Sequence, residues 1–110
     1  MGKPFDVVGV GLNATDTLLL VPHFPEYAGK VPFVEEVVSP GGQVASAIVT
    51  CQRLGLRTKY IGTVGDDFRG TIQMRSLLDE SINVDHVQLR LGSPNQSAYI
   101  IVDQIGRAHV

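Results

Sequence analysis

Hydrophobic and polar positions run along this chain with two different periods. Phe5 to Gly11 is a nearly continuous apolar run, with Val7, Val8 and Val10 between glycines, and it reads as a buried strand of the parallel type. Thr17 to Val21 is a second β-rich run, and Pro22 stops it. Phe33 to Val38 is a third, but Glu35 and Glu36 interrupt it, so it is expected at an edge or in a flap that stands partly in solvent. From Gly41-Gly42 the period turns helical. Val44, Ala47, Ile48 and Cys51 fall at i, i+3, i+4 and i+7, Leu54 extends the stripe, and Gly55 suits the left-handed residue that ends a helix. Lys59 to Val64 is the next strand. Asp67 is placed to cap a second helix reaching about Glu80, with Phe68, Ile72, Leu77 and Leu78 on its core face. Val87 to Leu91 and Ala98 to Val102, joined by Gly92, Ser93, Pro94 and Asn95, read as a hairpin or meander.

This order predicts an α/β fold with two kinds of sheet. The strand and helix alternation around residues 42 to 80 favours a parallel core sheet with a right-handed crossover. The more polar strands form a second sheet inserted in the loops. Two core strands and two helices make a thin core, and parallel sheets need cover on both faces. Residues 1–104 are therefore expected to be part of a larger domain. The last six, Ile105-Gly106-Arg107-Ala108-His109-Val110, match the translation of a common sequencing adapter, and residues 105–110 are expected to be a non-native tail.

Composition narrows the classes. Of 110 residues 44% are hydrophobic, and the formal charge of −2 comes without a basic stripe, which argues against nucleic acid as a partner. Cys51 is the only cysteine, so no internal disulfide and no cysteine metal site is expected. No signal peptide and no membrane-spanning run is present, so the expected location is cytoplasmic, away from membranes.

Four segments could carry chemistry. Gly9-Val10-Gly11-Leu12-Asn13-Ala14 matches a dinucleotide-binding fingerprint, which would suit an oxidoreductase. That fingerprint needs a helix from about Asn13, and the run from Thr15 to Pro22 is too short and too β-rich to supply it. Asp16 lies beyond the carboxyl end of the first strand, where open α/β sheets place ligands, and its carboxylate can accept two polyol hydroxyls or serve a turn. Gly41 and Gly42 allow close backbone approach and leave the first helical N–H groups as donors, with Gln43 and Ser46 nearby, although a flexible loop before a helix fits the same residues. Gly62 to Gly70, with Asp66 and Asp67, reads as structural. His23, His86 and His109 are scattered and receive no role.

The order and spacing of these pieces resembles the N-terminal part of the PfkB, or ribokinase-like, carbohydrate kinase family. The resemblance is carried by Val8-Gly9 with Asp16, by Gly41-Gly42-Gln43-Val44-Ala45-Ser46-Ala47, by Arg53-Leu54-Gly55-Leu56, by Tyr60 to Gly70, and by the strand ending Ile100-Ile101-Val102-Asp103. It implies a three-layer α/β/α fold with a small β-strand lid built near residues 17–21, 33–38, 87–91 and 98–102. It implies a kinase that moves the γ-phosphate of ATP, with Mg2+, to a hydroxyl of a sugar or nucleoside, and it allows a homodimer through the lid strands. It implies that Asp16, Gly41, Gly42, Gln43 and Ser46 bind the substrate, with Ala98 and Ile100 packing on it from the lid. Two departures stand out: Ser46 where the family often has asparagine, and Asn95 where it usually has threonine. The catalytic base and most of the ATP site are implied downstream, so this chain alone is expected to be inactive. The alternative is a non-catalytic polyol-binding module.

Overall fold

A computed structural model describes residues 2–109 of the chain. In order these form β1 (Val7–Val10), β2 (Ala14–Leu20), β3 (Glu35–Gly41), α1 (Gln43–Arg53), β4 (Thr58–Ile61), β5 (Thr63–Gly65), α2 (Phe68–Asp79), β6 (Gln88–Arg90), β7 (Ser97–Val102) and β8 (Ala108–His109). β1 pairs in parallel with β4, and α1 packs on one face of that pair. The approach is close: a Cβ on Gly9 would lie 2.4 Å from Ile48 Cγ1, so glycine serves helix packing there and not a turn. Ala45, Ile48, Tyr60, Leu77 and Ile82 form the core, flanked by Val7, Val44, Val49, Val84 and Val87.

Several expectations are corrected. β1 alternates where burial on both faces was expected: Val8 is 50% and Val10 67% exposed, because among the described residues only α1 covers this sheet. On α1 the buried positions are Ala45 and Ile48, while Ala47 is exposed. On α2 they are Gly70, Gln73 and Leu77, at i, i+3 and i+7, and Phe68 and Leu78 face outward. Gly70 sets this orientation, since a Cβ there would lie 1.9 Å from the Gly65 carbonyl oxygen. The run Lys59 to Val64 breaks at Gly62, which lies against the Tyr60 hydroxyl and the Gly11 carbonyl with no room for a side chain. β6 and β7 form no hairpin. β6 pairs in parallel with β5, whereas β7 pairs in parallel with β2.

The second sheet has the order β3-β2-β7-β8. It gathers the expected lid runs near 17–21, 33–38 and 98–102, but the run near 87–91 stays with β5 and is not a lid strand. Glu35 and Glu36 are exposed on the edge strand β3. β8, within the stretch 105–110, borders β7 on the other edge. Because Ala14–Leu20 is a strand, no helix follows the glycines at 9 and 11, and the dinucleotide reading fails. The lid projects from the core: the radius of gyration is 16.6 Å, against about 13 Å for a compact domain of about 100 residues. Among the described residues no helix is long and apolar enough to cross a membrane.

A buried polar network joins lid and core. Asn13 Nδ2 donates to the Tyr60 hydroxyl at 2.9 Å and to the Thr63 carbonyl at 2.7 Å. The Tyr60 hydroxyl donates to the Gly11 carbonyl at 2.5 Å. Asn95 Nδ2 donates to Asn13 Oδ1 at 3.1 Å, and Asn95 Oδ1 accepts from the Gly65 N–H at 3.0 Å. The Asn95 N–H donates to Asp67 Oδ1 at 3.1 Å, the same oxygen that caps α2 by accepting from the Gly70 N–H at 3.0 Å. The Gly70 bond, against the opposing effect of burial and with help from Asn95, holds the Asp67 carboxyl below its ordinary range.

Asn95→Ala leaves the Gly65 N–H and Asn13 Oδ1 without these partners. The expected loss is about 1–3 kcal/mol by urea denaturation, the usual cost of an orphaned buried polar group. Burial raises the Tyr60 phenol above its ordinary value of 10.0, and the bond from Asn13 only partly opposes this. Its stabilising contribution is therefore complete below pH 10.0 and lost as pH climbs through the raised value. Urea midpoints measured on the alkaline side should fall for the wild type, and that fall should be smaller for Tyr60→Phe.

Candidate functional site

β2 carries opposite chemistry on its two faces. Thr15 and Thr17 are fully buried on the side of α2, where the Thr15 hydroxyl donates to the Arg69 carbonyl at 3.0 Å. Asp16 points the other way. Its neighbours across the sheet are Ser39 on β3 and Ala98 on β7. One step along, on the same face, Leu18 pairs with Val37 and Ile100. A carboxylate thus stands beside a small hydroxyl and a methyl, followed by an apolar row.

β3 ends at Gly41, and the Asp16 carboxylate lies against it. A Cβ on Gly41 would sit 2.6 Å from Asp16 Oδ2. Gly42 then turns the chain into α1 with a positive φ of 100°, and a Cβ there would sit 2.4 Å from Asn13 Cα. Both glycines are required, one for the carboxylate and one for the backbone it crosses. No side chain caps α1. Its N-terminal end instead meets the carboxyl end of β1, where the Ala45 N–H donates to the Leu12 carbonyl at 3.2 Å.

The structure thus brings together Asp16, Gly41 and Ala98, with Ile100 in the next row and Gly42 at the helix start. Ser46 lies on the first turns of α1 and shares with Gly41 a groove of about 290 Å³ between the helices. Gln43 is exposed on α1. Sequence reasoning missed Gln73, which is 2% exposed on α2. Its Oε1 accepts from the Gly41 N–H at 3.3 Å and its Nε2 donates to the Gly41 carbonyl at 3.2 Å. The signal available was a glutamine at the helical spacing of the buried Gly70 and Leu77.

A larger cleft, about 560 Å³, lies elsewhere, between α2 and β5–β6, and is lined by Val64, Met74, Leu78 and Leu89 among others. It contains none of Asp16, Gly41, Gly42, Gln43, Ser46, Gln73, Ala98 and Ile100, and it is mostly an uncovered apolar face. Among the described residues no three His, Cys, Asp or Glu side chains gather as metal ligands. The carboxylate at the N-terminal end of α1 also opposes a polyphosphate there. A carboxylate in that place can accept from a hydroxyl donor.

Residues 6–109 match the family described as pfkB family carbohydrate kinase. The chain is 30% identical over 104 residues to a nucleoside kinase of Methanothermobacter thermautotrophicus, covering 94% of this chain and 33% of that protein. It is 32% identical over 106 residues to an ATP-dependent ribose-1-phosphate kinase of Halopiger xanaduensis, covering 94% of this chain and 35% of that protein. It shares the fold of an Arabidopsis thaliana ribokinase complexed with ribose and ATP, with a TM-score of 0.85 at 19% identity over 97% of this chain and 35% of that one. The chain spans about a third of the length of the curated relatives it matches.

Gly42→Ala combines a left-handed backbone with a clash against backbone atoms of Asn13. It is expected to cost on the order of 3 kcal/mol or more in a urea melt. Gly55 has a φ of 93° but open space around its Cβ position. Gly55→Ala should cost only about 1 kcal/mol. Equal costs would mean that the crossing at Asn13 is not crowded.

Proposed function

The chain belongs to the pfkB family of carbohydrate kinases, and from that membership we propose that it forms the acceptor-binding part of an ATP-dependent sugar or nucleoside kinase. One observation carries the reading: the Asp16 carboxylate stands in register with Ser39 and Ala98 and against Gly41. A carboxylate accepts hydrogen bonds from neighbouring hydroxyls, and an uncapped helix start donates them, so the two together can fix a diol. Gly41 and Gly42 form its entry to α1, and Gln43 and Ser46, on the first turns of that helix, are assigned to it as further hydrogen-bonding groups. Ala98 and Ile100, with Leu18 and Val37, hold the apolar side of the acceptor.

This pairing of a polar end with an apolar row favours an acceptor that has both, such as a nucleoside or an unphosphorylated sugar. Arg90, which precedes the lid strand β7, lies in β6 beside β5 and is not in the lid. A phosphosugar would want such a cation close to the site. ATP supplies the transferred phosphoryl group. The residues of this chain bind and orient the acceptor hydroxyl, and orientation is a large part of catalysis in phosphoryl transfer. The base and the phosphate-binding groups belong to the remainder of a longer protein.

The test is a panel of sugars and nucleosides with a product readout, run on the full-length protein and on the 110-residue chain. The full-length protein should phosphorylate at least one acceptor, and the isolated chain none. Asp16→Asn should lower kcat/KM for that acceptor by roughly 10- to 100-fold, as expected for losing hydrogen bonds to a charged group. Binding of polyols without phosphorylation by the full-length protein would point to a binding module instead.

A further inference from the structure

We infer that Gln73 is a positioning residue for the acceptor site, an inference that rests on the acceptor-binding reading above. Gln73 occupies the buried stripe of α2 between Gly70 and Leu77, where an apolar side chain would pack at no polar cost. A buried amide is costly unless its hydrogen bonds are made. Here both sides of the amide are used on one residue. The carbonyl accepts from the Gly41 N–H at 3.3 Å, and the NH2 donates to the Gly41 carbonyl at 3.2 Å.

Gly41 is the last residue of the edge strand β3, and both its backbone groups face α2. The Gln73 amide therefore completes that edge as a neighbouring strand would. Asp16 Oδ2 occupies the space on another side of Gly41, where a Cβ would be. Gln73 and Asp16 thus hold the same residue, and the next residue starts α1. A shift of Gly41 would move the helix-start donors relative to the Asp16 carboxylate. Gln73 governs the geometry of both groups without reaching the acceptor itself. It also ties the lid to α2, whose cap at Asp67 is bonded to Asn95.

The test uses the full-length protein with Gln73→Met, which keeps the length and loses both bonds, and Gln73→Glu, which keeps an acceptor and loses the donor. In Gln73→Met the KM for the acceptor should rise roughly tenfold, the scale of a small misplacement at a reacting centre. The KM for ATP should stay unchanged, which a general loss of folding would not produce. Hydrogen exchange of the Gly41 amide should be slow in the wild type, fast in Gln73→Met, and still slow in Gln73→Glu, whose carboxylate keeps accepting from that N–H. A folded Gln73→Met protein with unaltered acceptor kinetics would overturn the positioning role while leaving the kinase reading intact. Fast exchange at Gly41 in the wild type would overturn it even if neither variant folds. A wild-type protein that phosphorylates no acceptor would overturn the kinase reading, and the positioning role with it.

Discussion

The structure depends on one buried contact, the amide of Asn95 on the amide of Asn13. Asn13 leaves the end of β1, and Asn95 leads into β7, so their 3.1 Å hydrogen bond ties two segments 82 residues apart. Each amide then reaches a different element. Asn13 holds Tyr60 of β4 and the Thr63 carbonyl of β5, and Asn95 holds the Gly65 N–H and Gln96. Such a network is worth having only when its members are satisfied, because an unpaired polar group in this interior would be costly. Among the described residues the apolar core is a few side chains, and one face of the β1–β4 sheet is uncovered, so the polar bonds carry much of the connection between lid and core. Specific polar bonds fix an angle between lid and core that so small a core would leave loose.

That angle is what makes the proposed site. β2 starts immediately beyond Asn13, so Asp16 is placed by the same residue that anchors the network. β3 returns antiparallel to β2 and delivers Gly41 beside Asp16, while Gly42 crosses Asn13. Three separate demands meet within two residues: an edge strand must end, a helix must start, and a carboxylate must fit between them. Gly41 ends the strand and leaves room for the carboxylate, and Gly42 starts the helix. Gln73 then fills the remaining open valences of Gly41. Lid, diglycine and α2 form a closed circuit through Asp67 and Asn95, and a displacement of any one strains the others.

Much of this was legible in the sequence, and the failures have physical causes. The helix after Gly41-Gly42, the Asp67 cap and the edge character of Glu35-Glu36 follow from local patterns, and local patterns are what a sequence displays. Strand partners are not local. Val87 to Leu91 and Ala98 to Val102 look like a hairpin because a turn separates them, yet each pairs in parallel with a strand far earlier in the chain. Gly62 hides the break between β4 and β5, since Tyr60 and Ile61 before it and Val64 after it read as one strand. Burial on α2 was misjudged because Gly70 and Gln73 are buried by close approach and by hydrogen bonds, neither of which hydrophobicity registers. For the candidate site, position and flexibility single out Asp16, Gly41 and Gly42, which the structure brings together, but Gln73 needed the structure.

At the proposed site, the charge balance at the diglycine favours one kind of ligand over another. A helix N-terminus carries roughly half a positive charge and by itself favours an anion. The carboxylate of Asp16, held against Gly41, carries a full negative charge into the same space, so the local sum is negative. A phosphate would be repelled more by the carboxylate than it is attracted by the helix start. A hydroxyl meets no such conflict, because it donates to the carboxylate and accepts from a backbone N–H at once. The same two groups that would compete over an anion therefore cooperate on a diol. The juxtaposition marks an acceptor end for such a site, and in-line transfer requires the acceptor hydroxyl to stand opposite the leaving oxygen.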